Sequence, residues 1–192
     1  MSLQTWVETL VTAQADSTAL SNSTTATSII PAGARVTVPA NYFYIGKTLR
    51  IRASGRISTV TATPGNFTFT LQFGTITTPI SVFTSQATAL NTTAQTNATW
   101  DLELMSTCRA IGSGTSANMI TTGKWTTRAS LNAPAVGTTT GVGVVLLPDT
   151  APATGTGFAS TDPQTIDLFG TWSTANASNS ILTHIYSVES MN

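Results

Sequence analysis

Between Asn66 and Gly74 the chain reads NFTFTLQFG, with Phe67, Phe69, Leu71 and Phe73 on one parity and Thr68, Thr70 and Gln72 on the other. Successive side chains of an extended strand point to opposite faces, so this stretch makes a ribbon with one apolar and one polar side. TPGN precedes it and GTITTP follows it, and both are chain-turning punctuation. The same parity governs two other stretches. In KTLRIRASGR, Leu49, Ile51 and Ala53 alternate with Arg50, Arg52 and Ser54. In WDLELMSTCRA, Trp100, Leu102, Leu104, Ser106 and Cys108 alternate with Asp101, Glu103, Met105, Thr107 and Arg109. Both are expected to turn apolar residues inward and charges outward.

Six more stretches carry a strand signal, at 34–38, 79–83, 118–128, 142–147, 164–172 and 180–188. About nine short strands separated by Gly, Pro, Asn and Ser have the spacing of a β-sandwich or barrel. Composition agrees. Charged residues make up 8% of the chain, against about 25% in ordinary soluble domains. The missing polarity comes from 40 Thr and 19 Ser, and β-branched Thr suits a half-buried pleated surface. A hydroxyl-rich surface with zero net charge is poorly defended against association, which favours an assembled state. At 192 residues the chain is long enough for one well-buried core. The expected organisation is an all-β domain over 34–192 preceded by an arm over 1–33.

Within that arm, Leu3, Trp6, Val7, Leu10 and Val11 match a helical template, and a β-arm fits the same residues equally well. ADSTALSNSTTATS, which follows, is low in apolar content and reads as an extended segment. Trp6 needs an apolar surface, supplied either by its own sandwich or by a neighbouring subunit. No stretch combines a basic start with an apolar run, and none reaches the length of a membrane span, so no targeting, spanning or membrane contact is expected.

KTLRIRASGR holds four of the eight basic residues, Lys47, Arg50, Arg52 and Arg56. A stripe on one strand face suggests phosphate contacts, with Gly55 re-aiming Arg56. Against nucleic acid stand a pI of about 6.5 and aromatic residues confined to inward positions, since phosphate-binding domains are usually strongly basic. The favoured reading is an ion-paired sheet. Asp101 and Glu103 mirror Arg50 and Arg52, and on neighbouring strands each opposed pair would contribute about 0.2 to 1 kcal/mol. Placed at a subunit boundary, such pairs set register and partner choice.

Catalytic chemistry finds little support. The one histidine, His184, is placed by alternation on the face of Leu182, Tyr186 and Val188, and no local motif joins it to a nucleophile. Cys108 occupies an inward position and reads as a small buried hydrophobe. One His and one Cys are too few for zinc, the carboxylates are scattered for calcium, and no cofactor is expected. Asp101 and Glu103 as a glycosidase pair would need to meet in a cleft.

Three segments, VPANYFYIGKTLRIRASGRISTVTATPGNFTFTLQFG (38–74), WDLELMSTCRAIGSGTSANMITTGKW (100–125) and LFGTWSTANASNSILTHIYSVES (168–190), together resemble virion structural proteins of tailed bacteriophages. The resemblance covers most of residues 25–190. It implies an antiparallel β-sandwich of jelly-roll type, of the sort that decorates or cements capsids, commonly as homotrimers bound to the major capsid protein. It carries over no ligand or catalytic residue. The alternative within the same family of particles is a receptor- or saccharide-binding head of a tail fibre or spike, with the loops at 148–164 and 90–99 projecting from one end.

Overall fold

A computed structural model describes residues 6–131 and 143–191. Leu3 of the helical template and Val142 at the head of the expected 142–147 strand lie outside the described residues. Two antiparallel sheets pack face to face. Sheet A runs β1 (Val7–Thr12), β13 (Ser180–Met191), β5 (Thr48–Thr59), β9 (Gln95–Ala110), β10 (Asn118–Thr127) and β11 (Gly143–Leu147), with β2 (Leu20–Ser21) also paired to β13. Sheet B runs β3 (Thr27–Ser28), β12 (Gln164–Trp172), β6 (Asn66–Gly74) and β7 (Pro79–Thr84), with β4 (Val36–Val38) on β12 and β8 (Thr88–Ala89) on β6. The chain therefore crosses between layers repeatedly: A, B, A, B, A, B, A.

The core forms where the apolar parities meet. Phe67 and Phe69 on sheet B face Trp100 and Trp125 on sheet A, all fully buried. Ring centroids lie 5.1 Å (Phe69–Trp125) and 6.0 Å (Phe69–Trp100) apart across the sheets and 4.8 Å apart for Phe67 and Trp172 within sheet B, mostly edge to face. Such pairs add about 0.5 to 1.5 kcal/mol each beyond the area they bury. Two indoles also satisfy their N–H groups: Trp100 Nε1 donates to Leu182 O and Trp172 Nε1 to Leu20 O.

Residues 7–12 take the β-arm form, one of the two that the sequence left open, hydrogen-bonded along β13 from Met191 to Ser187. Residues 20–21 and 27–28 pair with β13 and β12, so three short stretches of the 1–33 segment lie along the sandwich as edge strands. Hydroxyl-rich sequence hides this, because short edge strands need backbone partners more than a run of apolar side chains. His184 does not share a face with Tyr186 and Val188. The register shifts between Thr183 and Ile185. Ile181 and Thr183 are buried before this bulge, Tyr186 and Val188 after it, and His184 and Ile185 are both exposed.

Gly55 does not re-aim Arg56, because the alternation of β5 runs through it unbroken. Its role is close approach: a Cβ there would sit 1.9 Å from Leu182 O beside the bulge. The segment after β11 does not project freely. Phe158 is fully buried, and bridges Ala117–Phe158 and Ile120–Thr154 tie it along β10. Of the 90–99 loop, residues 95–99 belong to β9, leaving a short turn.

Candidate functional site

The outer face of sheet A gathers charge. Arg50, Arg52 and Arg56 point outward from β5, Asp101 and Glu103 from β9, Lys124 from β10 and Glu189 from β13. Register decides which of them meet. Arg52 lies directly across from Glu103, and Glu103 across from Lys124. Arg52 Nη2 stands 3.1 Å from Glu103 Oε1, and Lys124 Nζ 3.4 Å from Glu103 Oε2, so one carboxylate bridges two cations on opposite sides. The hydrogen bond from Arg52, with the two positive charges, holds the Glu103 carboxyl below its ordinary range.

Arg50 turns the other way. Its neighbour on β9 is Met105, and its partner is Glu189 on β13, which receives its Nε–H at 2.6 Å and its Nη2–H as well. Asp101 stands opposite Ser54 and Thr126, and Arg56 opposite Thr99 and Leu182. Neither enters an ion pair among the described residues. Lys47 leaves the stripe altogether: it is buried, with Nζ 4.6 Å from the centre of the Tyr42 ring. Lys124 and Glu189 escaped the sequence reading because their strands carry a single charge each, which makes no local pattern. Beside the ladder stand Val144, Leu146 and Ile185, all exposed.

A second site lies on the outer face of sheet B. Asp167 projects outward from β12, directly across from Gln72 on β6. Its Oδ1 accepts from Ser28 Oγ at 2.6 Å, and its Oδ2 lies 2.7 Å from Arg35 Nε. The Arg35 approach is close but off-axis, and Nε–H is left without an aligned acceptor. Gln72 is buried, and its Oε1 makes no hydrogen bond. Burial pushes the Asp167 carboxyl up, against the lowering effects of Ser28 and Arg35. These side chains line a pocket of about 300 Å³ together with Phe169, Ile76 and Pro79. No sequence signal marks it, because its residues come from separate strands and turns scattered along the chain.

The remaining candidates are spread out. His184 Nδ1 is 2.9 Å from Asp16 Oδ1 at the surface of sheet A. Cys108 is buried, its Sγ–H points to Ala110 O at 3.2 Å, and burial pushes its thiol up. Trp6 is 74% exposed. Among the described residues no three His, Cys, Asp or Glu side chains come together, and no helix is long and apolar enough to cross a membrane. No family model, no curated protein and no solved structure matches the chain.

Proposed function

We propose that the chain is a non-enzymatic structural protein of a tailed-phage virion, a decoration or cement protein that binds across major capsid subunits as a homotrimer on the capsid surface. One observation carries this reading. The outer face of sheet A combines a cross-strand charge ladder with exposed Val144, Leu146 and Ile185. Large apolar side chains beside ordered charges suit a specific protein contact, in which the apolar residues provide affinity and the charges select register. The repeated crossing of the chain between layers supports the jelly-roll form of the sandwich, with β10–β11 as an added hairpin on sheet A. Exposed Trp6 gives the amino-terminal segment an anchor for a neighbour.

The mechanism is mechanical. A rigid sandwich seated over the joint between two shell subunits opposes their separation under the pressure of packaged DNA. Trp6→Ala would weaken attachment to shells, measured by co-sedimentation, because the exposed indole is lost while β1 and β2 stay paired to β13. Equal attachment of this variant would exclude a role for Trp6.

The second reading, a receptor- or saccharide-binding head of a tail fibre or spike, draws on the polar pocket of sheet B. Copy number separates the two. Quantitative mass spectrometry of purified particles would find hundreds of copies for decoration and a few tens or fewer for a tail or spike.

A further inference from the structure

We propose that the pocket on the outer face of sheet B binds a neutral saccharide unit, held by Gln72, Arg35 and Asp167 against Phe169. The inference stands whether the chain sits on the shell or the tail, because the site belongs to the layer opposite the charge ladder.

Charge sets the ligand class first. Arg35 and Asp167 neutralise one another at 2.7 Å, so an anion would meet the carboxylate and a cation the guanidinium, each unfavourably. Hydrogen bonding narrows it further. Gln72 is more than nine-tenths buried, and its Oε1 is an acceptor with no donor. An unsatisfied buried acceptor is a cost to the fold. A ligand that donates to Gln72 would recover that cost on binding. Arg35 keeps part of its guanidinium at the surface, with 26% of the side chain exposed, and offers donors only. The ligand must therefore both donate and accept within one pocket, which adjacent hydroxyls do.

The walls complete the match. Phe169 is half-buried and points outward from β12, and Ile76 stands exposed at the β6–β7 turn. A sugar ring presents apolar C–H faces between its hydroxyl edges, and such a face suits an aromatic wall. At about 300 Å³ the pocket lies at the small end of ligand sites, the scale of one ring with its flanking bond.

Saturation-transfer NMR on the whole chain would test this with the methyl glycosides of glucose, galactose, mannose, N-acetylglucosamine and rhamnose as probes. At least one probe should receive transfer. Gln72→Met, which removes the acceptor at nearly constant volume, should weaken binding about tenfold while leaving the melting midpoint equal or higher. Arg52→Gln, on the other sheet, should bind the same probe unchanged. Transfer to none of the five probes would overturn the proposal, as would undiminished binding by Gln72→Met. Should Gln72→Met melt lower, Phe169→Ala decides: retained binding there overturns the site, and lost binding with a parental melting midpoint upholds it. Shell attachment is measured separately by co-sedimentation, so failure of the saccharide site leaves the assembly reading untouched.

Discussion

Glu103 on sheet A and Asp167 on sheet B are both carboxylates that face an arginine, yet the fold moves their proton affinities in opposite directions. Glu103 stands in a wet, open ladder where hydrogen bonds and two cations dominate, and its carboxyl is held low. Asp167 is withdrawn from water beneath Ser28 and Arg35, and desolvation outweighs the same kinds of contact. The lesson is that an ion pair's meaning depends on how much water it keeps. The sheet A ladder is cheap to form and to exchange for other partners, as a contact face requires. The sheet B cluster holds buried polar groups at a cost to the fold, which is more often a mark of a binding site.

Linkage gives each carboxylate its own pH signature. Glu103, lowered in the fold, contributes stability that is complete above the unfolded carboxylate range and is lost as pH falls from that range through the lower folded value. Asp167, raised in the fold, is held protonated more tightly than in the unfolded chain. Its contribution is greatest at low pH and falls as pH rises through the unfolded carboxylate range towards the folded value.

The severest break in this contrast would come from the backbone that aligns sheet A. Gly55→Ala drives a methyl into Leu182 O, so β5 and β13 must separate and Arg50 loses its register with Glu189; chemical denaturation should show a loss of about 3 kcal/mol. Next comes the buried pair on sheet B. Arg35→Met leaves Asp167 charged and unpaired among buried groups, and should cost about 2 to 4 kcal/mol near neutral pH. That cost should shrink as the denaturation is repeated at progressively lower pH, because the Asp167 carboxyl, pushed up by burial, then takes up a proton. The ladder is weaker. Arg50→Gln with Arg52→Gln should lower stability by about 1 kcal/mol in total, while attachment to shells falls severalfold, and added salt should weaken parental attachment in the same direction. Nucleic-acid retention on a filter should not change. Smallest of all, Trp6→Ala should change stability, read by chemical denaturation, by no more than about 0.5 kcal/mol, because Trp6 is largely exposed.

Alternation made the sandwich legible. Leu49 to Ile57 and Trp100 to Cys108 turn inward as their parity requires, because a strand with one buried face cannot slip by a single residue without exposing its core. The same rule failed at His184, where a bulge inserts a residue and inverts the phase. No side-chain pattern announces a bulge. The Arg52–Glu103 pairing was legible only as a possibility of neighbouring strands, while Arg50–Glu189 depends on β13, the last strand of the chain, joining β5. The Arg35, Gln72 and Asp167 pocket was hidden for a stronger reason. It exists only once β12 has inserted between β4 and β6, and none of its residues forms a local motif.

Electron cryo-microscopy of phage particles assembled with this chain would test the proposed assembly role most directly. The account predicts many copies on the outer shell, seated over subunit joints, with Arg50, Arg52, Val144 and Leu146 of sheet A turned toward the shell and the sheet B pocket turned away. Density confined to tail tips, or shell-bound copies with sheet A facing solvent, would contradict it.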